Sequence, residues 1–212
     1  MKSLIIYGAS YFDLIKLIDA INRQHPTWEL RGFLDDTPEK AGASYLDIPV
    51  LGGRELLPQL VEEGCHFFNN VCGSWQGNES IAGLLCQHGC NLASLVHPSI
   101  DLNYVELGQG VLLTDGVIVG SRTKVGDFLT TRLGSVISHD VIIEDHVFIG
   151  PGVVIGSGAR IGKGAFIGAG ATVMLERTVG AGSLVGAGAV VSKDVPDFVS
   201  VAGVPAREIG KR

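Results

Sequence analysis

Residues 149–172 read IGPGVV IGSGAR IGKGAF IGAGAT, four blocks of six on one pattern. Isoleucine holds the first place of each block, glycine the second and fourth, and valine or alanine the fifth. The same cut carried outward gives sixteen hexads, from Asp101 to Pro196, with no break in register. Ile, Leu or Val fills the first place in 14 of the 16, so the pattern extends well beyond the four clearest blocks. Six residues are too few for a helix and its turn, and this density of Gly and β-branched residues opposes helix. They suit one short strand and one tight turn. The branched first residue points inward, the small fifth residue packs where the chain bends, and glycine supplies the turn dihedrals. Such a coil hides its inner face only by stacking on neighbours, which explains why the unit recurs so often. One block departs. VMLERT (173–178) lacks Gly and puts Arg177 at the small place, which predicts a local bulge or loop.

Glycine makes up 30 of 212 residues, 10 in the first hundred and 20 after them, so the excess follows the repeat. Apolar residues are 46% and charged residues 18%, enough apolar material to offset ordering entropy and exclude a disordered chain. The net charge is −6 with no Lys/Arg cluster, which argues against a nucleic-acid partner. No run reaches the ~18 apolar residues of a membrane span, and Leu4–Tyr7 is too short for a signal peptide. A cytoplasmic protein is expected. In that setting Cys65, Cys72, Cys86 and Cys90, none in a CxxC pair, read as reduced thiols.

The first hundred residues follow another rhythm. Strands are expected near Leu4–Tyr7, Glu29–Leu34, His66–Val71 and Leu92–Val96, with helices near Phe12–Asn22, Arg54–Glu63 and Glu79–His88. This alternation predicts a small Rossmann-like parallel α/β domain over residues 1–98, followed by a repeat domain over 99–212. Ligands on such sheets sit at the carboxyl ends of strands. Ser10, Tyr11, Phe12, Asp35, Asp36 and Gly73 fall there and are the candidate substrate contacts. A dinucleotide site would need GxGxxG after the first strand, and Gly8 to Asp13 supplies a single glycine.

The hexads resemble those of the hexapeptide-repeat acyltransferases. With the α/β domain in front, the whole chain resembles the nucleotide-sugar acetyltransferases, of the UDP-4-amino-sugar N-acetyltransferase or sialic acid O-acetyltransferase type. The matching pieces are YGAS (7–10), FLDD (33–36), VLGG (50–53), ISHD (137–140) and AGVPAR (202–207). The resemblance implies a left-handed parallel β-helix of three hexads per coil, a hand the periodicity alone does not give. It also implies a homotrimer, acetyl-CoA between subunits, and a front domain that holds the nucleotide. One departure stands out. The family's first turn runs Gly-x-x-Gly-His, and here Tyr11 and Phe12 replace the second Gly and the His. Three readings stay open: the same ligand held by other groups, a changed nucleotide or sugar with Tyr11 stacking on the base, or a pocket that binds no nucleotide.

The resemblance makes His139 the general base, with Asp140 supporting it. Imidazole chemistry suits the role, since its pKa near ~6.5 allows proton transfer at neutral pH. At eighteen residues per coil Ser157 stacks over His139, and its N–H is the family's donor to the thioester carbonyl. Ala169 and Ala187 are expected along the pantetheine arm, with Arg207 as a phosphate contact. Phe148 stands where the family often has a second histidine, nine residues after the base. His146, two residues earlier, reads as a surface or interface residue. A zinc site is not expected, because the repeat holds only two histidines, seven apart. The expected activity is transfer of an acetyl group from acetyl-CoA to an amino group on a nucleotide-linked sugar. O-acetylation of a sialic acid or other sugar, and a non-catalytic scaffold or sensor, are the alternatives.

Overall fold

The computed structural model describes residues Met1–Arg212, which divide into two compact units, Met1–Pro98 and Ser99–Arg212. In the first unit the strands are β1 (Lys2–Tyr7), β2 (Trp28–Leu34), β3 (Ser44–Tyr45), β4 (Ile48–Gly52), β5 (His66–Asn69) and β6 (Asn91–Leu92). The helices are α1 (Asp13–Gln24), α2 (Leu57–Glu62) and α3 (Trp75–Gln87). The sheet order is β3-β4-β2-β1-β5-β6, parallel throughout except for the β3–β4 hairpin. β1 is central, and Leu4, Ile5 and Ile6 are fully buried, which accounts for an uninterrupted apolar run in place of alternation. The β3–β4 hairpin falls in a stretch that gives no clear strand signal in the sequence. α3 begins four residues before the expected start, because the Ser74 hydroxyl accepts the Gly77 N–H and caps it.

The second unit is a left-handed parallel β-helix. Two-residue strands recur every six residues, and each pairs in parallel with the strand eighteen residues on, as in Ile137↔Ile155 and Ile143↔Ile161. Three faces result, and their outward strand residues differ. One face shows Ile118, Val136, Val154, Thr172 and Val190, the next Glu106, Lys124, Ile142, Arg160 and Thr178. The third shows Leu112, Thr130, Phe148, Phe166 and Leu184. The first and fifth places of the hexads point inward and are almost wholly buried from Ile137 to Val173. Each such Val or Ile contributes roughly 1.5–3 kcal/mol when taken out of water.

The two glycine places do different work. From Tyr104 to Gly188 every fourth place has left-handed backbone, whether glycine or not, Arg122, Asp140, His146 and Glu176 included. The second-place glycines instead sit against the backbone of the next coil. A Cβ on Gly162 would lie 2.6 Å from the Ala181 nitrogen.

Two expectations are corrected. VMLERT forms no bulge, since Val154↔Thr172 and Arg160↔Thr178 keep the eighteen-residue step. The Arg177 side chain escapes the small inward place and reaches Asp194 at 3.5 Å. Register breaks later, in the last hexad. Val179 pairs with Val195 and Leu184 with Ser200, a step of sixteen. The turn from Val191 to Val195 is two residues shorter than its predecessors, and Val195 takes the inward place (4% exposed). A hairpin of Val199–Ala202 with Arg207–Lys211 follows.

Candidate active site

His139 and Asp140 occupy the third and fourth places of one hexad, at the corner between the apolar face and the charged face. The backbone beneath them is pressed close: a Cβ on Gly120 would lie 2.6 Å from the Ser138 carbonyl carbon. Thr123 adds a hydroxyl bond to the Ser138 carbonyl at 2.9 Å. The turn that carries His139 is therefore fixed from the coil below. At Asp140 the φ of 59° is the ordinary fourth-place conformation, and it lifts the carboxyl group toward its neighbours on the corner.

Asp140 Oδ2 lies 2.6 Å from His139 Nδ1. The same carboxylate accepts a fork from Arg122, with Nε to Oδ1 at 2.6 Å and Nη2 to Oδ2 at 2.5 Å. Arg122 first, and His139 second, hold the Asp140 carboxyl far below the usual carboxylate range, so it is ionised at neutral pH. An ionised carboxylate only accepts hydrogen bonds. Neutral His139 must then carry its proton on Nδ1 and present the Nε2 lone pair. More than half of its side-chain surface is open, so a substrate proton can reach that lone pair.

Arg122 is the member that sequence reading missed. The signal was available, since Arg122 holds the same place as Asp140 one coil earlier. Ser157 stands directly over His139, and the Gly158 N–H donates to the His139 carbonyl at 3.2 Å. The next residue in that column is Leu175. On another corner the matching N–H groups are capped by carboxylates, Gln109 by Asp127 at 2.7 Å and Asp127 by Asp145 at 2.8 Å. Leu175 offers Ser157 no such cap.

Ala169 and Ala187 stack on each other, but on the corner at the opposite edge of the apolar face from His139 and Ser157. Both are exposed. Phe148 lies on a different face from His139, stacked on Phe166 with centroids 4.6 Å apart and under the Arg132 guanidinium. The His146 ring stacks on Phe128 at 5.2 Å. Arg207 is exposed in the terminal hairpin, and its Nη1 bonds the neighbouring Ala206 carbonyl.

In the first unit a cleft of about 340 Å³ opens at the carboxyl ends of β1, β2 and β5. Tyr7, Gly8, Asp35, Asp36, Thr37 and Val71 line it, with Gly77, Ser80 and Ile81 from α3. Of the expected contacts, only Asp35 and Asp36 are among these, and their oxygens are already engaged. Asp35 Oδ2 accepts from the Ala9 N–H and from Lys40 Nζ, both at 2.8 Å, and Oδ1 from the Thr37 N–H at 3.0 Å. Asp36 accepts from the buried Tyr7 hydroxyl at 2.6 Å and from the Arg54 guanidinium, also at 2.6 Å. Ser10 and Gly73 are exposed and lie outside the lining. Tyr11 is half-buried, and the Phe12 ring is stacked on Tyr45 at 4.6 Å and set edge-on to Phe33. Residues not foreseen frame the floor: Asn70 donates to the Gly8 carbonyl, Asn69 to the Asn78 carbonyl, and Asn78 to the Val71 carbonyl.

Burial pushes the Asp35 carboxyl up, but the bonds from Lys40, Thr37 and Ala9 outweigh it and hold it at about 2. Unfolded aspartate titrates near ~3.9. The unfolded chain therefore binds more protons between these values, and the stability Asp35 contributes is present above about pH 4 and fades toward pH 2. Melting temperatures taken from pH 5 to pH 2 should fall more steeply for the wild type than for D35N.

The four cysteines are free thiols, with Cys65 buried. No helix is long and apolar enough to cross a membrane. No group of three or more His, Cys, Asp or Glu side chains is arranged to hold a metal ion.

The family model for the bacterial transferase hexapeptide (six repeats) matches residues 140–174. No curated protein sequence matches the chain. Among solved structures, PerB from Caulobacter crescentus, in complex with CoA and GDP-perosamine, is 30% identical. That match covers 99% of this chain and 98% of the other, with a TM-score of 0.88. A histidine-to-alanine mutant of GDP-perosamine N-acetyltransferase from the same organism, also with CoA and GDP-perosamine, is 29% identical. It covers 100% of this chain and 98% of the other, with a TM-score of 0.89. The acetyltransferase domain of PglB from Neisseria gonorrhoeae, with acetyl coenzyme A, is 27% identical over 98% of this chain and 99% of that one, with a TM-score of 0.87. With the repeat and a full-length match at this identity, the chain belongs to the hexapeptide-repeat acyltransferases that act on nucleotide sugars.

Proposed function

We propose that this protein transfers an acetyl group from acetyl-CoA to an amino group on a GDP-linked sugar. The observation that carries the reading is the His139–Asp140 pair, in which an ionised carboxylate holds Nδ1–H and leaves Nε2 as the base. The solved relatives supply the donor and acceptor classes, since their structures contain CoA with GDP-perosamine, or acetyl coenzyme A.

Within a ternary complex His139 Nε2 takes a proton from the amine as its nitrogen attacks the thioester carbonyl carbon. The Ser157 N–H faces the developing oxyanion. The C–S bond then breaks, CoA leaves as the thiolate, and the imidazolium returns the proton to sulfur. The nucleotide occupies the cleft at the carboxyl ends of β1, β2 and β5. Asp35 and Asp36 shape that cleft through Ala9, Lys40, Tyr7 and Arg54, and the exposed Ser80 hydroxyl on its lining is free to meet the ligand directly.

The active assembly is a homotrimer of a cytoplasmic protein. Support comes from the apolar face, where Ile118 is 60% and Val154 is 40% exposed in the single chain. Three prisms in a closed ring cover such a face. In that ring one subunit presents the His139–Ser157 corner and its neighbour the Ala169–Ala187 corner, so the small alanines line the cleft for the pantetheine arm. Phe148 and Arg207 would meet the rest of the acyl donor.

The test is release of free CoA from acetyl-CoA in the presence of GDP-, UDP- and TDP-linked amino sugars and free sialic acid. Turnover is expected with a GDP-linked amino sugar. Turnover with sialic acid alone would replace the reading by O-acetylation, and no turnover with any acceptor would leave the scaffold reading.

A further inference from the structure

Arg122 has no role in the mechanism above, yet its side chain commits both ends of its guanidinium fork to Asp140. Three observations bear on this. First, Arg122 occupies a fourth place with φ of 60°, where nine other hexads carry glycine, so the position accepts backbone strain to present a side chain. Second, the register is rigid. Lys124↔Ile142 and Val125↔Ile143 fix the coil of Arg122 under that of Asp140, and the Asp140 N–H donates to the Ser121 carbonyl at 3.1 Å. Third, Asp140 Oδ2 is shared, accepting from Arg122 Nη2 and from His139 Nδ1.

Resting on the acyltransferase reading, we propose that Arg122 is a positioning residue of the active site. It locks the Asp140 carboxylate in the rotamer that meets His139 Nδ1, and it offsets part of the charge that Asp140 presents to the imidazole. A lone carboxylate at this distance would favour imidazolium, which cannot accept a proton. A carboxylate neutralised in part by a guanidinium still orients the ring but holds its proton less strongly. The bidentate geometry suits this role, because a planar fork fixes both oxygens where a single ammonium fixes one.

The other groups on this corner are few. In the column of Asp140 lie Tyr104 below Arg122, Gly158 above, and Glu176 a further coil up. In the column of His139 lie Asn103, Ser121, Ser157 and Leu175. Glu176 is the only other carboxylate in either column, two coils from Asp140, and it does not touch the pair.

The test compares R122G, R122K and H139N with the wild type. Glycine suits the left-handed backbone at this place, so R122G keeps the prism, and its melting temperature should not fall. The readouts are the His139 ring titration followed by NMR, assigned with H139N, and kcat for CoA release. In R122G the midpoint of that titration should move to higher pH, and kcat at pH 7 should fall about tenfold. R122K should keep the midpoint near the wild-type value and recover only part of kcat, because charge is retained without the fork. An unmoved midpoint in R122G, or full kcat in R122G, overturns the proposal. Absence of CoA release by the wild type with every acceptor would instead sink the acyltransferase reading itself, and full activity of H139N would sink only the role of His139 as its base, so the failures are distinguishable.

Discussion

Replacing His139 by alanine should lower kcat for CoA release by roughly 10²- to 10⁴-fold, the range expected on losing a positioned general base. The fold should not notice. The side chain is more than half exposed and its polar partner is Asp140, so H139A should melt within a degree or two of the wild type. That contrast separates chemistry from structure. The mutant should also still bind acetyl-CoA, because the contacts proposed for the acyl donor lie on backbone and on other corners of the prism. Steady-state kinetics with a calorimetric CoA titration would check both halves. If kcat survived within a factor of two, His139 would be an ordinary turn histidine and the proposed mechanism would be wrong.

The second large effect is structural and rests on the two kinds of glycine. G162A should cost more than ~3 kcal/mol, at or beyond the upper end of what overpacking usually costs. Its new Cβ would lie 2.6 Å from the Ala181 nitrogen and 2.9 Å from the Gly180 carbonyl carbon, and backbone in a stacked coil has nowhere to go. G152A, ten residues away, meets nothing within 4 Å. Its cost is the left-handed φ of 64° alone, on the order of 1–2 kcal/mol. Denaturant unfolding of the two variants should therefore differ in midpoint severalfold more for G162A, although the substitution is the same. Equal losses would mean that conformational freedom, not close approach, explains both glycine places.

The repeat made most of the second unit legible in the sequence. Inward Ile and Val at first places and small residues at fifth places are one-dimensional signals, and the eighteen-residue step follows once three faces are assumed. The ends of the pattern were less legible. VMLERT looked like a break because its letters depart, yet a side chain that can snorkel, such as Arg177, leaves the backbone untouched. The true break at Val191–Val195 hides behind acceptable letters, because a two-residue loss in a turn moves no apolar residue out of the core. At the active site His139 and Asp140 were readable as neighbours in sequence. Arg122 was readable only through the eighteen-residue step that puts it one coil below Asp140, not from its immediate neighbours. In the first unit the cleft's place was readable from the strand ends, but its lining was not. Phe12 turns its ring onto Tyr45, and the polar frame comes from Asn69, Asn70 and Asn78, whose bonds span from two to 62 residues of sequence.

The fourth places of the hexads carry a consequence for how such a protein can change. Each is a left-handed position, several carry a side chain, as Arg122, Asp140, His146 and Glu176 show, and each lies one coil above its counterpart, a pitch of roughly 4.8 Å set by strand pairing. The corner is therefore a rack with sockets at fixed spacing. A reactive group and its partner can be mounted, exchanged or moved along it by single substitutions eighteen residues apart, and whole coils can be inserted above or below without altering the spacing between them. Length and chemistry are in this sense independent variables of the molecule.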